Sequence, residues 1–427
     1  MWRKLLTFCL ILCILLVGTE IESETAKAEP DLQFVPEMGP FIKIWDDAGN
    51  NSDPSVAYNP LHDEYLVVWV TTQDAFSRDI WGRRLRGDGS LIPNSTFNID
   101  NFAGMHLVDP AVAYNSQTDQ YLVIYTAELS TVDHDIWGKV VNWNGGLSSR
   151  LYIDSRLQRQ NNPAVAYNNI ENQYLVAYSD WQTSTTVNVK LQSLNPAGGG
   201  VHSASIVSST DQYRGSPDLA YNRLDNQYLV VYGFEGSYPL LPRILGKSFS
   251  ATLVSMSPEF QYDDDGVFGT NPKITCHTNE CLVAWNGFGD SKVKARRISL
   301  NGIPYGSAGG FEISGYIENV LHQVTSVSLL KPWGYLITWD YFLMTTADKG
   351  DIFGVVVGFG KDQPMGNSFP IDNRTHYEGG PSSLACDPAG SCLVVNSHNP
   401  VQYPAGDSEI SGRLVFTLRN FIPLAMK

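Results

Sequence analysis

The chain has no excess of positive charge and, after its first residues, no long apolar run. Its 427 residues contain 29 Lys and Arg against 44 Asp and Glu, which gives a net charge of −15 at pH 7. An acidic surface disfavours nucleic acids and anionic membranes as partners, and it is compatible with neutral glycans, cations or basic proteins. A membrane-spanning helix needs about 20 consecutive apolar residues. We therefore predict no nucleic-acid partner and no membrane insertion.

The sequence also lacks the short motifs that mark common catalytic sites. It contains no H-E-x-x-H of zinc peptidases, no G-x-S-x-G of serine hydrolases and no G-x-x-x-x-G-K loop for nucleotide phosphates. No cofactor follows from the sequence. These absences favour a binding protein over an enzyme, and they leave the bound partner open.

The amino terminus carries the long apolar segment. The basic pair Arg3-Lys4 precedes an apolar run over 5–17, and a polar stretch then ends in A-K-A at residue 28. This order is typical of a secretory signal peptide, and the apolar run is too short to span a membrane. The sequence predicts a signal peptide over 1–28, a leader over 29–40 and a secreted, extracellular protein.

One pattern recurs seven times in the rest of the chain. Four copies contain Ala-Tyr-Asn and a second tyrosine seven residues after the first, and successive copies lie 53 to 56 residues apart. The first tyrosines of these copies are Tyr58, Tyr114, Tyr167 and Tyr221. Three weaker copies begin at Asn271, Gln323 and Gly380. A second motif such as DIWG and an alternating apolar segment such as FNID follow, so each unit predicts about four short strands.

Four strands in each of seven units resemble a β-propeller. We predict an all-β fold, a seven-bladed β-propeller of four-stranded antiparallel blades over 41–415. The signatures of the WD40, kelch, integrin-type and sialidase-like subfamilies are absent. The last unit ends after its third strand, so the segment FIKI (41–44) is predicted to complete it and close the ring. The alternative gives that place to the tail, 416–427.

Two cysteine pairs occupy the places of tyrosine pairs. Cys276 and Cys281 stand in the fifth unit, and Cys386 and Cys392 stand in the seventh. Side chains at these places face each other across a hairpin, so we predict two local disulfides. The alternative for the fifth unit is a metal site that includes His277.

Aromatic side chains are frequent in the loops between the second and third strands, on the face opposite the tyrosine hairpins. Aromatic rings beside carboxylates and amides suit sugar rings. The predicted ligand-binding residues are Trp181, Phe234, Tyr238, Phe288, Tyr341, Phe342 and Tyr403. Each could instead cover the end of a blade.

The densest acidic stretch is Asp263, Asp264 and Asp265. Adjacent carboxylates could supply oxygen ligands to Ca²⁺, and the alternative is an exposed turn. Asp263 also belongs to a set that closes the fourth strand of several units and is predicted to accept loop hydrogen bonds. The set is Asp100, Asp154, Asp263 and Asp372.

The sequence supports two functions. The first is a monomeric extracellular binding or scaffold propeller that engages a glycan or a protein at the channel-mouth loops. The alternative is a propeller glycoside hydrolase or lyase, which needs carboxylates within about 5–10 Å of each other at the channel mouth. Its candidate carboxylates are Glu128, Asp133, Glu235, Asp290, Asp340 and Asp348.

Overall fold

The computed structural model describes residues 36–46, 49–74, 77–206, 212–236, 242–263, 268–288, 290–315, 320–343, 350–374, 382–399 and 408–416. Within these ranges the regular structure consists of strands, β1 to β28, and contains no helix. The strands form seven antiparallel four-stranded blades, which confirms the predicted all-β propeller. The predicted signal peptide lies outside the described residues.

The first four blades follow the chain order. Blade 1 contains β2 (Asn50–Asn59), β3 (Glu64–Asp74), β4 (Ser77–Arg86) and β5 (Leu91–Asp100); blade 2 contains β6 (His106–Asn115), β7 (Gln120–Glu128), β8 (His134–Asn142) and β9 (Leu151–Asp154). Blade 3 contains β10 (Gln160–Asn168), β11 (Gln173–Trp181), β12 (Val187–Leu194) and β13 (Gly200–Ile206); blade 4 contains β14 (Gln212–Asn222), β15 (Gln227–Gly236), β16 (Arg243–Ser250) and β17 (Phe260–Gln261).

The last three blades include the carboxyl-terminal strands and the first strand. Blade 5 contains β18 (Phe268–Cys276), β19 (Cys281–Phe288), β20 (Val293–Ile298) and β21 (Phe311–Glu312); blade 6 contains β22 (Val320–Leu330), β23 (Gly334–Leu343), β24 (Asp351–Gly358) and β25 (Phe369–Asp372). Blade 7 contains β26 (Ser383–Cys386), β27 (Ser391–His398), β28 (Glu409–Phe416) and β1 (Glu37–Trp45).

The amino-terminal strand is the outer strand of blade 7. It pairs antiparallel with β28, from Glu37 opposite Phe416 to Trp45 opposite Ile410. The strand begins four residues before the predicted boundary at residue 41, inside the segment assigned to the leader. Of the predicted tail, residues 417–427 lie outside the described residues.

The buried apolar side chains form clusters between neighbouring blades. Blades 1 and 2, for example, share a cluster that contains Val68 and Tyr125. A similar cluster joins Trp69 of blade 1 to Leu393 and Ile44 of blade 7. Side chains alternate between the two faces of each blade, and each face packs against a neighbouring blade. In this arrangement the first strands of the blades surround a central space.

The Ala-Tyr-Asn motif forms the hairpin between the first two strands. In blade 1 the ring of Tyr58 lies 5.0 Å from that of Tyr65, and its hydroxyl donates to Oδ1 of Asp63 at 2.8 Å. Oδ1 of Asn59 accepts from the backbone N–H of Leu61 at 2.9 Å, and its Nδ2 donates to Oδ1 of Asp119 in blade 2 at 3.0 Å. The motif therefore stabilises a turn and also joins one blade to the next.

Two disulfides take the place of the tyrosine pairs in blades 5 and 7. Cys276 and Cys281 are directly opposed in the hairpin register and bonded, and Cys386 and Cys392 are bonded in the same way. The prediction of two local disulfides is confirmed. In blade 5, His277 stacks on Phe359 with ring centroids 3.9 Å apart, which accounts for that histidine by packing.

Candidate functional site in the central cavity

The first strands of all seven blades surround a central cavity of about 420 Å³. β6 and β14 form a parallel bridge to the third strand of the preceding blade near their amino-terminal ends. Among the described residues, no further strand pairs with the first strands where they line the cavity, so backbone N–H and C=O groups and polar side chains can meet a ligand there. The lining lies in the middle of these strands, such as Asp53 to Val56 in β2. It is therefore between the face of the tyrosine hairpins and the opposite face, on which ligand binding is predicted.

A bulge interrupts these strands where Asp, Asn or Ser precedes Pro. Asp53 and Asp109 have φ of 52° and 53°, and the pairing register shifts at both places. Asp and Asn tolerate this left-handed conformation better than most residues. The residues at this position that line the cavity are Asp53, Asp109, Asn162, Ser216 and Asn271. The repeat thus places a ring of polar side chains around the cavity.

The position three residues before the first tyrosine of each hairpin pair, or before the residue that replaces this tyrosine, differs between blades. It is small in five blades, as Ser55, Ala111, Ala164, Ser326 and Ser383. In the adjacent blades 4 and 5 it carries charge, as Asp218 and Lys273. Both side chains are half-buried against the cavity. Alignment of the repeats reveals this departure, which lies in the strands and not in the loops that contain the predicted ligand-binding residues.

The carboxyl of Asp109 is perturbed by its surroundings. Burial raises its pKa to about 6, and the negative charges of Asp53 and Glu128 act in the same direction. The Thr126 hydroxyl opposes the shift by donating to Oδ2 of Asp109 at 3.3 Å. Glu128, at the end of β7, stands opposite His106 and His134 in the strand register. One wall of the cavity therefore has interacting carboxyl groups from blades 1 and 2.

The other charged wall lies in blades 4 and 5. Burial raises the pKa of Asp218, and the positive charge of Lys273 opposes this shift. Oδ2 of Asp218 accepts the backbone N–H of Ile274 at 2.8 Å, so this carboxyl bridges the inner edges of two blades. A carboxylate and an ammonium placed side by side offer both an acceptor and donors to a ligand.

Trp181, at the end of β11, is connected to the cavity lining through Tyr213. Its ring is 6.0 Å from that of Tyr213, and the Tyr213 hydroxyl is 3.2 Å from Oγ of Ser216, which lines the cavity. Its Nε1 donates to Oδ1 of Asn161 at 3.3 Å, and the guanidinium carbon of Arg159 is 5.3 Å from the ring. The indole is thus fixed in place and half-buried, with part of its surface open.

Tyr341 occupies a comparable place in blade 6. Its ring is 5.6 Å from that of His322, which directly precedes the cavity-lining Gln323. Both ring nitrogens of His322 are buried and have no hydrogen-bond partner within the described part of the chain. Burial lowers the pKa of His322 to about 4, so the imidazole is neutral at physiological pH.

The other predicted aromatic residues fall into three groups. Phe234 is 8% exposed and belongs to the apolar cluster between blades 3 and 4, so it covers a blade interface. Phe288 and Phe342 lie near the ends of β19 and β23, where their backbones are paired. Tyr238 and Tyr403 lie outside the described residues.

The predicted catalytic carboxylates are spread over several blades. Asp290 forms an ion pair with Lys294, with Nζ 3.2 Å from Oδ2, and Glu235 is exposed. Asp340 is buried, and burial raises its pKa well above the usual value. Asp133 is half-buried in the loop before β8, and Asp348 lies outside the described residues. Glu128 is the candidate whose charge acts on a carboxyl of the cavity.

The predicted calcium ligands are described only at Asp263. This side chain is buried, and its Oδ2 accepts the backbone N–H of Gly269 at 2.8 Å. Burial raises its pKa to about 7. Asp264 and Asp265 lie outside the described residues. The described ranges contain no group of three or more His, Cys, Asp or Glu arranged to hold a metal ion.

Within the part of the chain that the structure describes, no helix is long and apolar enough to cross a membrane.

No family model matches the chain, and no curated protein matches it. Several solved structures are similar to it at low identity. An alpha-L-arabinanase of Penicillium chrysogenum complexed with arabinobiose is 13% identical, with a TM-score of 0.47 over 88% of this chain and 98% of that one. The propeller of Dos1 is 9% identical, with a TM-score of 0.47 over 90% and 96%. A neuraminidase-like protein of the isolate A/flat-faced bat/Peru is 8% identical, with a TM-score of 0.45 over 72% and 87%.

Proposed function

We propose that the chain is a secreted glycan-binding propeller that receives the end of an oligosaccharide in its central cavity. The observation that carries this proposal is the cavity itself, which is about 420 Å³ and lined by hydroxyl, amide, carboxyl and ammonium groups. Ligand pockets commonly measure about 300 to 1,000 Å³. The polar lining suits the many hydroxyl groups of a sugar better than it suits an apolar ligand.

Aromatic residues near the cavity support the choice of a glycan. Trp181 packs on Tyr213, whose hydroxyl contacts the lining residue Ser216, and Tyr341 packs on His322, next to the lining residue Gln323. A sugar presents C–H groups on its ring faces, which pack on aromatic rings, while its hydroxyl groups take hydrogen bonds. An oligosaccharide can use both features, with one unit in the cavity and the next against these aromatic rings.

The experiment measures binding of neutral oligosaccharides to the protein without its predicted signal peptide. We expect binding by isothermal titration calorimetry, and we expect Trp181→Ala to weaken it by about tenfold, the loss of roughly 1 to 2 kcal/mol of stacking and burial. Trp143→Ala is the matched control, because Trp143 is a partly exposed indole that stacks on His62 in a tyrosine hairpin on the opposite face.

Thermal unfolding of both variants separates lost binding from lost folding. Equal weakening by the Trp181 and Trp143 variants would contradict the assignment of the face. The absence of binding to any neutral oligosaccharide at millimolar concentration would contradict the function.

Glycoside hydrolysis is a second candidate function, and the carboxyl groups around Asp109 favour it. A carboxyl with a pKa of about 6 beside other carboxylates can act as the acid of an acid–base pair. If Asp109 has this role, the wild type releases reducing sugar from an oligosaccharide and Asp109→Asn abolishes the release while binding persists. Turnover should fall as pH rises through about 6, because the acid must be protonated. If the wild type binds an oligosaccharide without hydrolysing it, glycoside hydrolysis is rejected and the glycan-binding function remains.

A further inference from the structure

Asp218 and Lys273 depart from the repeat at a position that lines the cavity. Five blades have Ser or Ala there, which is sufficient to build the first strand. A charged side chain facing a confined space costs desolvation free energy. The other five blades therefore build this strand without a charge here, although Asp218 also joins blades 4 and 5 through the N–H of Ile274, and a ligand in the cavity would contact both charges.

The charges of the lining exclude some ligands. Asp53, Asp109 and Asp218 face the cavity together with Lys273, which leaves an excess of negative charge at neutral pH. An anionic group would meet repulsion from the carboxylates that is only partly offset by one ammonium, and charge effects are strengthened where water is displaced. A neutral group that both donates and accepts hydrogen bonds meets no such cost.

The contacts of Asp218 leave capacity for such a group. Its Oδ2 is held by the N–H of Ile274, which fixes the carboxyl at the junction of blades 4 and 5. A carboxylate has about four acceptor sites, and an ammonium has three donors. The neighbouring Lys273 can therefore donate to one sugar hydroxyl while Asp218 accepts from the next one.

We propose that Asp218 and Lys273 form the specificity-determining subsite of the cavity, which recognises two neighbouring hydroxyl groups of an uncharged sugar and discriminates against acidic sugars. This inference rests on the proposed glycan-binding function and names its ligand class. The two residues act as a pair, with the carboxylate accepting and the ammonium donating.

The test compares a neutral oligosaccharide that binds the wild type with an oligogalacturonide as the acidic probe. We expect Asp218→Asn and Lys273→Met each to weaken neutral binding by about tenfold or more, because a hydrogen bond to a charged group contributes roughly 1.5 to 3 kcal/mol. The double variant should be less weakened than the product of the two single effects, since the residues share one ligand. Asp88→Asn, which neutralises an exposed carboxylate in the turn between β4 and β5 and outside the cavity lining, is the control and should change the affinity less than about twofold.

The acidic probe provides a measurement that a purely structural role would not alter. Asp218→Asn removes a negative charge and should reduce discrimination against the oligogalacturonide, whereas Lys273→Met should increase it. Unfolding temperatures establish that each variant is folded at the assay temperature.

The outcomes separate the two proposals. If the wild type binds the neutral probe and the folded Asp218 and Lys273 variants bind it with the same affinity, the proposed subsite is wrong. The glycan-binding function is then not affected. Tighter wild-type binding of the acidic probe would overturn the ligand class. If the wild type binds neither probe nor any other neutral oligosaccharide, the function and the subsite both fall.

Discussion

A buried aspartate at the same repeat position lies at the junction between blades 1 and 2 and at the junction between blades 4 and 5. The two aspartates differ in the partners that surround them. Asp100 and Asp263 close the fourth-strand segment of their blades, and both are buried. Asp100 accepts from Nε of Arg150 at 2.6 Å and from the Tyr125 hydroxyl, and Lys139 Nζ lies 3.2 Å away. These partners all belong to blade 2, so a fully partnered carboxylate joins the two blades.

Asp263 has a weaker set of partners. Its Oδ2 accepts one backbone N–H, from Gly269, and its Oδ1 has no partner within the described residues. No Lys, Arg or His side chain in the described part of the chain forms an ion pair with Asp263. Arg296, which corresponds in register to Lys139, donates to the carbonyl oxygen of Tyr262 at 2.9 Å. Blades 4 and 5 are therefore joined through a buried carboxyl that forms no ion pair among the described residues, and the charge of Arg243 offsets its burial only in part.

The pKa values of the two carboxyls move in opposite directions. Burial disfavours the charged form of both. At Asp100 the hydrogen bonds from Arg150 and Tyr125 and the charge of Lys139 outweigh burial and lower the pKa. At Asp263 burial prevails and raises the pKa to about 7. A buried aspartate at this repeat position therefore strengthens a junction between blades where a cation reaches it and weakens the junction where none does.

The largest effect is expected from Asp100→Asn. The substitution removes the carboxylate and leaves the cations of Arg150 and Lys139 without their partner, so the free energy of unfolding at pH 7 should fall by about 3 to 5 kcal/mol. Urea denaturation measures the loss. The contribution of Asp100 is present above the pKa of an unfolded aspartate and is lost as pH falls below it, so the variant and the wild type should converge in acid. Equal stability at pH 7 would show that the junction does not depend on this ion pair.

Asp263→Asn should act in the opposite direction. The folded-state pKa of about 7 lies above the value near 3.9 of an unfolded aspartate, so the folded state binds more protons between these values. Wild-type stability should therefore fall as pH rises from about 4 to 7, by at most about 4 kcal/mol for a shift of roughly 3 units. The variant should lack this fall and be more stable than the wild type at pH 8. Destabilisation by the variant at pH 8 would contradict the comparison.

Asp265→Arg tests whether a cation supplied near Asp263 stabilises the junction between blades 4 and 5. Asp154 and Asp372 are each followed two residues later by an arginine that forms an ion pair with them. Nη2 of Arg156 lies 2.6 Å from Oδ2 of Asp154, and Nη2 of Arg374 lies 2.6 Å from Oδ2 of Asp372. At the same spacing after Asp263, the sequence has Asp265. The substitution should lower the pKa of Asp263 and stabilise the protein at pH 8 by about 2 kcal/mol. Asp265→Gln is the control for the loss of negative charge alone. A similar gain from both substitutions would show that repulsion, and not a missing arginine, limits the junction.

The smallest effect is expected from Tyr178→Phe. The Tyr178 hydroxyl donates to Oδ2 of Asp154 at 2.7 Å, but Arg156 also binds that carboxylate. Removing one of several hydrogen bonds should cost about 1 kcal/mol. Thermal unfolding measures this loss. A loss as large as that of Asp100→Asn would indicate that the tyrosine, and not the arginine, is the principal link between blades 2 and 3.

Much of the fold could be predicted from the sequence because the repeated contacts are local. Tyr58 and Tyr65, or Cys276 and Cys281, meet across a single hairpin, and the same spacing recurs in other units. Strand number, blade composition and both disulfides follow from such short-range pairing. The bulge at Asp53 could not be predicted, because a left-handed residue before Pro inside a strand looks like a strand entry in the sequence.

The sequence determines less about the candidate site than about the fold. Trp181, Tyr341 and Phe234 all lie near the ends of second strands. In the structure Trp181 packs on Tyr213 and Tyr341 packs on His322, whereas Phe234 is buried between blades. An aromatic residue at the end of a strand can face a rim or a neighbouring blade, and the sequence pattern is the same in both cases.

The amino-acid sequence by itself determined the seven repeated units, their strands and the covalent links of two hairpins. Those features depend on contacts between residues a few positions apart, which repeat with each unit. The tertiary structure alone decided that Asp218 meets the inner edge of the next blade at Ile274, and that Asp100 receives Arg150 whereas Asp263 receives no comparable cation among the described residues. These contacts join residues about 50 positions apart, or depend on burial, so they exist only once neighbouring blades pack together and remove water from the charges between them.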